Sequence, residues 1–160
     1  MVAAGMMALM AGCESAGHVA AKDAYQPPPT GAPAALVRGS EISEGGLFGD
    51  EHRGFVGMID LQPIEDAARR WNEAIALTPG SHTIVAEYRY SNFMTRAYVP
   101  LEAKAGVTYQ LMIRNSRNDA EGRLYNDFWI VDTSTGAPVT AVYRRQVTGG
   151  KKGTVFNVNK

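Results

Sequence analysis

From Ala34 to the C-terminus the chain alternates apolar and polar residues in short runs interrupted by turn residues, the pattern of an all-β domain. Ala34–Gly39 reads as a first strand. A Gly-rich stretch, Glu44–Asp50, precedes a second extended run at Phe55–Asp60. The alternation is clearest in His82–Tyr90. There Ile84, Ala86, Tyr88 and Tyr90 share one face and Thr83, Val85, Glu87 and Arg89 the other, so the first face is expected in a core and the second in water. Ala74–Leu77 reaches this run through Thr78-Pro79-Gly80-Ser81. Proline presets φ at position i+1 of a type II turn and glycine accepts the positive φ at i+2, which predicts a hairpin. Thr95–Ala103 and Thr108–Arg114 about Lys104-Ala105-Gly106 predict a second pair, and Phe128–Asp132 with Val139–Tyr143 a third. Thr154–Val158 suits a last strand. One or two helical turns are expected at Pro63–Arg70, with proline at the start, acids in the first turn and arginines in the last; an elaborated loop is the alternative. About seven or eight antiparallel strands at this spacing predict a single β-sandwich, with a small barrel as the alternative. Trp129 reads as core; Trp71 suits a cap on the sandwich or a partner contact.

The first residues follow a different rule. Residues 1–12 are apolar and end in Ala11-Gly12, directly before the only cysteine, Cys13. A short apolar stretch with a small-residue exit has the form of a secretory signal and is too short to span a bilayer. Leu9-Met10-Ala11-Gly12-Cys13 resembles the lipobox of bacterial lipoproteins. The resemblance implies cleavage before Cys13, diacylglycerol on its sulfur and a chain anchored to a membrane of the cell envelope. Glu14, in place of the Asp that marks inner-membrane retention in that pattern, makes the outer membrane the default. Met10 stands where a branched aliphatic is usual, and no Lys or Arg precedes Cys13, so the true start is expected upstream. The alternative is a Cys13 buried in an apolar helix. Residues 13–33 contain Pro27-Pro28-Pro29 and Pro33 and predict an extended tether, leaving residues 34–160 as the β-domain.

Leu77-Thr78-Pro79-Gly80-Ser81-His82, with Ala105-Gly106-Val107-Thr108-Tyr109 downstream, resembles small β-sandwich modules of bacterial envelope lipoproteins, the PEGA-type and transthyretin-like domains. That resemblance covers roughly Ile75 to Ile113. It implies a fold and a setting, and no reaction.

Composition narrows the chemistry. The chain has 160 residues, with 16 Lys+Arg and 16 Asp+Glu, so net charge gives no case for a nucleic-acid partner. One cysteine excludes an internal disulfide framework. His18, His52 and His82 show no metal-ligand spacing, so neither a metal nor a cofactor is expected. The nucleophile-elbow, phosphate-loop and dinucleotide motifs are absent. Ser15 and Ser81 lie near histidines, and the acids Asp60, Glu65, Asp66, Glu73, Glu87 and Glu102 are scattered.

Two surfaces stand out. Tyr88-Arg89-Tyr90 and Arg96 with Tyr98 interleave aromatics and arginines, the residues that dominate interface hot spots. The simpler account packs the tyrosines in the core and lets the arginines reach outward. From Thr133 to Lys160 there is no acid, while Arg144, Arg145, Lys151 and Lys152 form a basic stripe suited to anionic headgroups or an acidic partner. A solvated loop and tail would also explain the stripe. The reading is a non-catalytic interaction module of an envelope assembly, with a protein partner and a lipid anchor. A periplasmic glycan- or small-ligand-binding module comes second, and a lipid-anchored hydrolase third.

Overall fold

The computed structural model describes residues 23–43, 51–90, 93–117 and 123–149. Cys13, His18, the Glu44–Asp50 stretch, Lys151, Lys152 and the expected strand Thr154–Val158 lie outside them. The described residues form an all-β, two-sheet sandwich of eleven strands. These are β1 (Ala35–Arg38), β2 (Ser40–Ser43), β3 (Glu51–Ile59), β4 (Gln62–Pro63), β5 (Ile75–Leu77), β6 (Gly80–Tyr90), β7 (Phe93–Ala103), β8 (Thr108–Arg117), β9 (Leu124–Asp132), β10 (Tyr143–Gln146) and β11 (Thr148–Gly149). The first sheet runs β10-β9-β8-β1-β5. The second runs β11-β7-β6-β3-β2, with β4 folded onto β3. The count exceeds the expected seven or eight because three short strands of two to four residues, β2, β4 and β11, were not expected.

Three expectations about pairing are corrected. First, the Pro79-Gly80 turn is a corner between sheets. β5 pairs with β1, Leu77 opposite Ala35, whereas β6 pairs with β3 and β7 in the other sheet. Second, the Lys104-Ala105-Gly106 turn also changes sheet, from β7 to β8. The long hairpins are instead β6–β7, in register from Gly80↔Ala103 to Tyr90↔Phe93, and β8–β9. The third expected pair holds, since Val139 N–H donates to Ile130 O and β10 runs antiparallel to β9. Finally, the strands are not all antiparallel: β1 lies parallel to β8, Leu36 opposite Thr108. It fills the slot between β8 and β5 that two sheet-changing corners leave open.

The expected helix at Pro63–Arg70 is a set of turns. Pro63 is held in β4 opposite Met58, and Asp66 takes φ 52°, a left-handed conformation that ends helical propagation. Arg69 and Arg70 N–H both donate to Asp66 O. The β3–β4 connection is a two-residue turn in which Asp60 (φ 52°) and Leu61 (φ 66°) are both left-handed, the geometry of a type I′ hairpin.

The core lies between the sheets, where Val37, Leu77, Leu111 and Phe128 of one meet Ile84 and Val99 of the other, all fully buried. Removing this apolar surface from water supplies the main driving force for folding. At the end nearest the β6–β7 tip the interior turns polar. The Tyr88 hydroxyl and His52 Nδ1 lie 2.5 Å apart, and Asn126 Nδ2 donates to Thr95 Oγ1 at 3.0 Å. The body also begins earlier than Ala34. Tyr25 N–H donates to Pro63 O and its hydroxyl to Ala76 O, both at 2.9 Å, with the ring against the core.

Candidate functional site

The expected surface of Tyr88, Arg89, Tyr90, Arg96, Tyr98, Arg144 and Arg145 is divided by the fold. Tyr88 is buried in the core and Tyr90 packs against it, its ring 4.4 Å from that of His52. Arg89, Arg96 and Tyr98 lie on the outer face of the second sheet, Arg144 on the outer face of the first. Arg145 is exposed on β10 and donates to Arg144 O at 2.8 Å.

Each outer face is organised around a buried acid. In the second sheet the face that the alternation assigns to water is half closed: Val85 is 0% and Glu87 2% exposed. The register puts Arg96 opposite Glu87 and Tyr98 opposite Val85, so long side chains from β7 cover both. Glu87 Oε1 accepts from Arg96 Nε at 2.9 Å and Nη2 at 2.5 Å, and Oε2 accepts from Arg89 Nη2 at 2.8 Å. Room for this carboxylate comes from Gly57, the bulge residue between Val56 and Met58, where a Cβ would lie 2.7 Å from Glu87 Cδ. Burial works against the charge on Arg96, and the Glu87 carboxylate outweighs it, raising the guanidinium above its ordinary pKa. The Arg89 guanidinium lies 5.2 Å from the centre of the Phe55 ring.

The first sheet repeats the arrangement. Asp127, fully buried at an outward position, lies opposite Arg114 of β8 and Arg144 of β10. Arg144 holds it in a fork, Nε to Oδ1 at 2.7 Å and Nη2 to Oδ2 at 3.1 Å, and Arg114 Nη2 donates to Oδ2 at 2.9 Å. The Arg144 bond, then that of Arg114, hold the Asp127 carboxyl below its usual value against the opposing effect of burial. Arg114 lies 5.8 Å from the Trp129 ring centre and Arg144 6.0 Å from that of Tyr125. Trp129 is therefore half-buried on this outer face and not in the core, because its neighbours Phe128 and Ile130 take the inward positions. Trp71 accepts from Gly39 N–H through its carbonyl and has Arg53 5.6 Å from its ring centre.

The opposite end of the second sheet holds a groove of about 440 Å³, lined among others by Asp60, Ser81, His82, Glu102, Val139 and Tyr143. It gathers serine, histidine and acid, but each has another partner. Ser81 Oγ donates to Glu102 Oε1. His82 Nδ1 faces Asp60 Oδ2 and its Nε2 faces Thr78 O, both at 2.7 Å. The ring nitrogen that would take a serine proton is thus set against a backbone carbonyl. Asp60 also accepts from Thr83 N–H at 2.8 Å. Burial raises its pKa, and the Thr83 and His82 contacts outweigh that and lower it. The Asp60–His82 pair therefore ties the β3–β4 turn to the corner before β6.

Among the described residues no three His, Cys, Asp or Glu side chains come together as a metal site, and no helix is long and apolar enough to cross a membrane. Glu87-x-Arg89 was visible in sequence as a local pair. Asp127 with Arg114 and Arg144 was not, since 13 and 17 residues separate the partners. Compared with protein-family models, with curated proteins and with solved structures, the chain matches none, so its function is read from its own residues.

Proposed function

We propose that the chain is a lipoprotein of the bacterial envelope, anchored through Cys13, and that its sandwich is a non-catalytic interaction or accessory module in a periplasmic or outer-membrane assembly. One observation carries the reading: the only cysteine ends Leu9-Met10-Ala11-Gly12-Cys13, and Tyr25, twelve residues on, is docked on a two-sheet domain. Twelve residues span at most about 40 Å when fully extended. That reach holds the body close to the headgroups and leaves both outer faces within range of neighbouring envelope components. The paired arginines beside aromatic rings are residue types enriched at protein interfaces.

The experiment is metabolic labelling with a fatty acid, followed by recovery of the full chain from gently solubilised envelope, beside Cys13→Ser. Label on the parent chain, none on the variant, and a stoichiometric protein that co-purifies through a salt wash support the proposal. An unlabelled parent chain removes the anchor, and recovery without a protein partner removes the accessory role.

A second reading, a periplasmic glycan- or small-ligand-binding module, is favoured by the open groove between Glu102 of β7 and the segment Val139–Tyr143. Shifts of Val139 and Tyr143 resonances on adding soluble peptidoglycan fragments would support it. An unchanged spectrum at millimolar ligand would sink it.

A further inference from the structure

We propose that the outer face of the first sheet docks on an anionic bilayer surface. Four of the sheet's five strands, β1, β8, β9 and β10, carry the charged part of this face. Its outward side chains run in cross-strand rows set by the register: Arg114–Asp127–Arg144, then Met112–Trp129, then Arg38–Gln110–Val131. Arg38 follows Leu36, which is 37% exposed on the same side. The rows holding Arg114 and Arg38 are four residues apart along β8, roughly 13 Å. The cations therefore frame an apolar middle containing Trp129 and Met112.

Charge selects the partner. Asp127 is the only acid among the described outward side chains of these four strands; it is buried and shared by two guanidiniums. With Arg38, three arginines stand against one carboxylate among the described outward side chains of these strands. The outer face of the second sheet differs, because its arginines share the surface with exposed Glu41 and Glu102. Ring access favours a membrane over a glycan. The Trp129 and Tyr125 rings already have guanidiniums against them, where a sugar would need the ring face for stacking. Arginine beside an aromatic ring is the pairing of residue types found at the headgroup level of a bilayer, where guanidiniums reach phosphates.

The docking needs no lipid on Cys13, so the test uses the full chain carrying Cys13→Ser and is independent of the anchor. Partition into vesicles of phosphatidylglycerol and phosphatidylethanolamine is measured by sedimentation, against phosphatidylcholine alone. Binding to the anionic vesicles is expected, falling with added salt. Arg38 makes no ion pair among the described residues, and Arg38→Gln should weaken partition about fivefold with an unchanged melting temperature. Adding Arg114→Gln should bring the loss to about 25-fold. Arg89→Gln removes the same charge from the opposite face and should leave partition unchanged. In a Trp71→Phe background, brominated lipid should quench the one remaining indole, Trp129. The proposal is overturned if Arg38→Gln binds like the parent, if Arg89→Gln loses as much, or if Lys151→Gln with Lys152→Gln removes all binding. It is equally overturned if only a soluble acidic polysaccharide, and no vesicle, is bound.

Discussion

Asp127→Asn isolates the charge at the centre of the first sheet's outer row while keeping the side chain's size. The carboxylate is fully buried and accepts three charge-assisted bonds from Arg114 and Arg144. Bonds of this kind contribute about 1.5–3 kcal/mol each when they stand alone. Three do not add here, because the arginine side chains are 64% and 47% exposed and water replaces the lost partner. The buried end has no such relief: an amide would set its N–H₂ against a guanidinium. A net loss of about 2–3 kcal/mol follows. For a body of this size that lowers the melting temperature by roughly 10 °C.

The pH dependence distinguishes charge from packing. The folded Asp127 carboxyl titrates below its ordinary 3.8. Its contribution is therefore complete above the unfolded value and is lost as pH falls through the depressed folded value. Calorimetry of both proteins from pH 7 to pH 2.5 should show the full gap at neutrality, narrowing only below about pH 4. Asparagine does not titrate, so the narrowing comes entirely from the parent chain. A gap of the same size at pH 7 and pH 2.5 would refute the electrostatic account and assign the loss to packing.

Other sites give sharper structural tests. A Cβ on Gly54 would lie 1.9 Å from Ile113 Cδ1, so Gly54→Ala should cost about 1–3 kcal/mol in urea denaturation. Ile113→Val deletes the colliding atom, and the double variant should be more stable than the sum of the single losses allows; strict additivity would contradict the contact. Leu61 sits exposed at φ 66° in the β3–β4 turn, where Leu61→Asn should raise stability by about 1 kcal/mol, read as a higher melting temperature. Tyr88→Phe removes the hydroxyl that meets His52 Nδ1 inside the sandwich. It should cost about 1–2 kcal/mol at unchanged m-value, and an unaltered urea midpoint would show that this pair contributes nothing.

The strands themselves were legible because a sheet with one buried face writes its period of two into the sequence. Ile84, Ala86 and Tyr88 are buried as their alternation requires. Partners were not legible. The Pro79-Gly80 turn and the β6–β7 tip both reverse the chain, and turn chemistry specifies the reversal without naming the strand that follows alongside. β5 has three residues and finds β1, whereas the eleven-residue β6 is matched along its whole length by the eleven-residue β7. Pro63–Arg70 failed for a related reason. Its charges satisfy a helix dipole, but Pro63 was already committed to pairing with β3 and Asp66 to a left-handed conformation.

The site was half legible for the same physical cause. Tyrosine and arginine alternate along β6, which placed Tyr88 inward and Arg89 outward, but no single strand reveals that Arg96 will stand opposite Glu87. The buried acids are products of register. Glu87 and Asp127 occupy outward positions, where an acid should be solvated, and each is enclosed because two arginines converge on it. One guanidinium is enough to neutralise one carboxylate. A second means that each buried acid fixes two cations in place from below. Arginines held in this way lose little further side-chain freedom when an anionic partner arrives, so the entropy that normally opposes binding through long flexible cations has already been spent in folding.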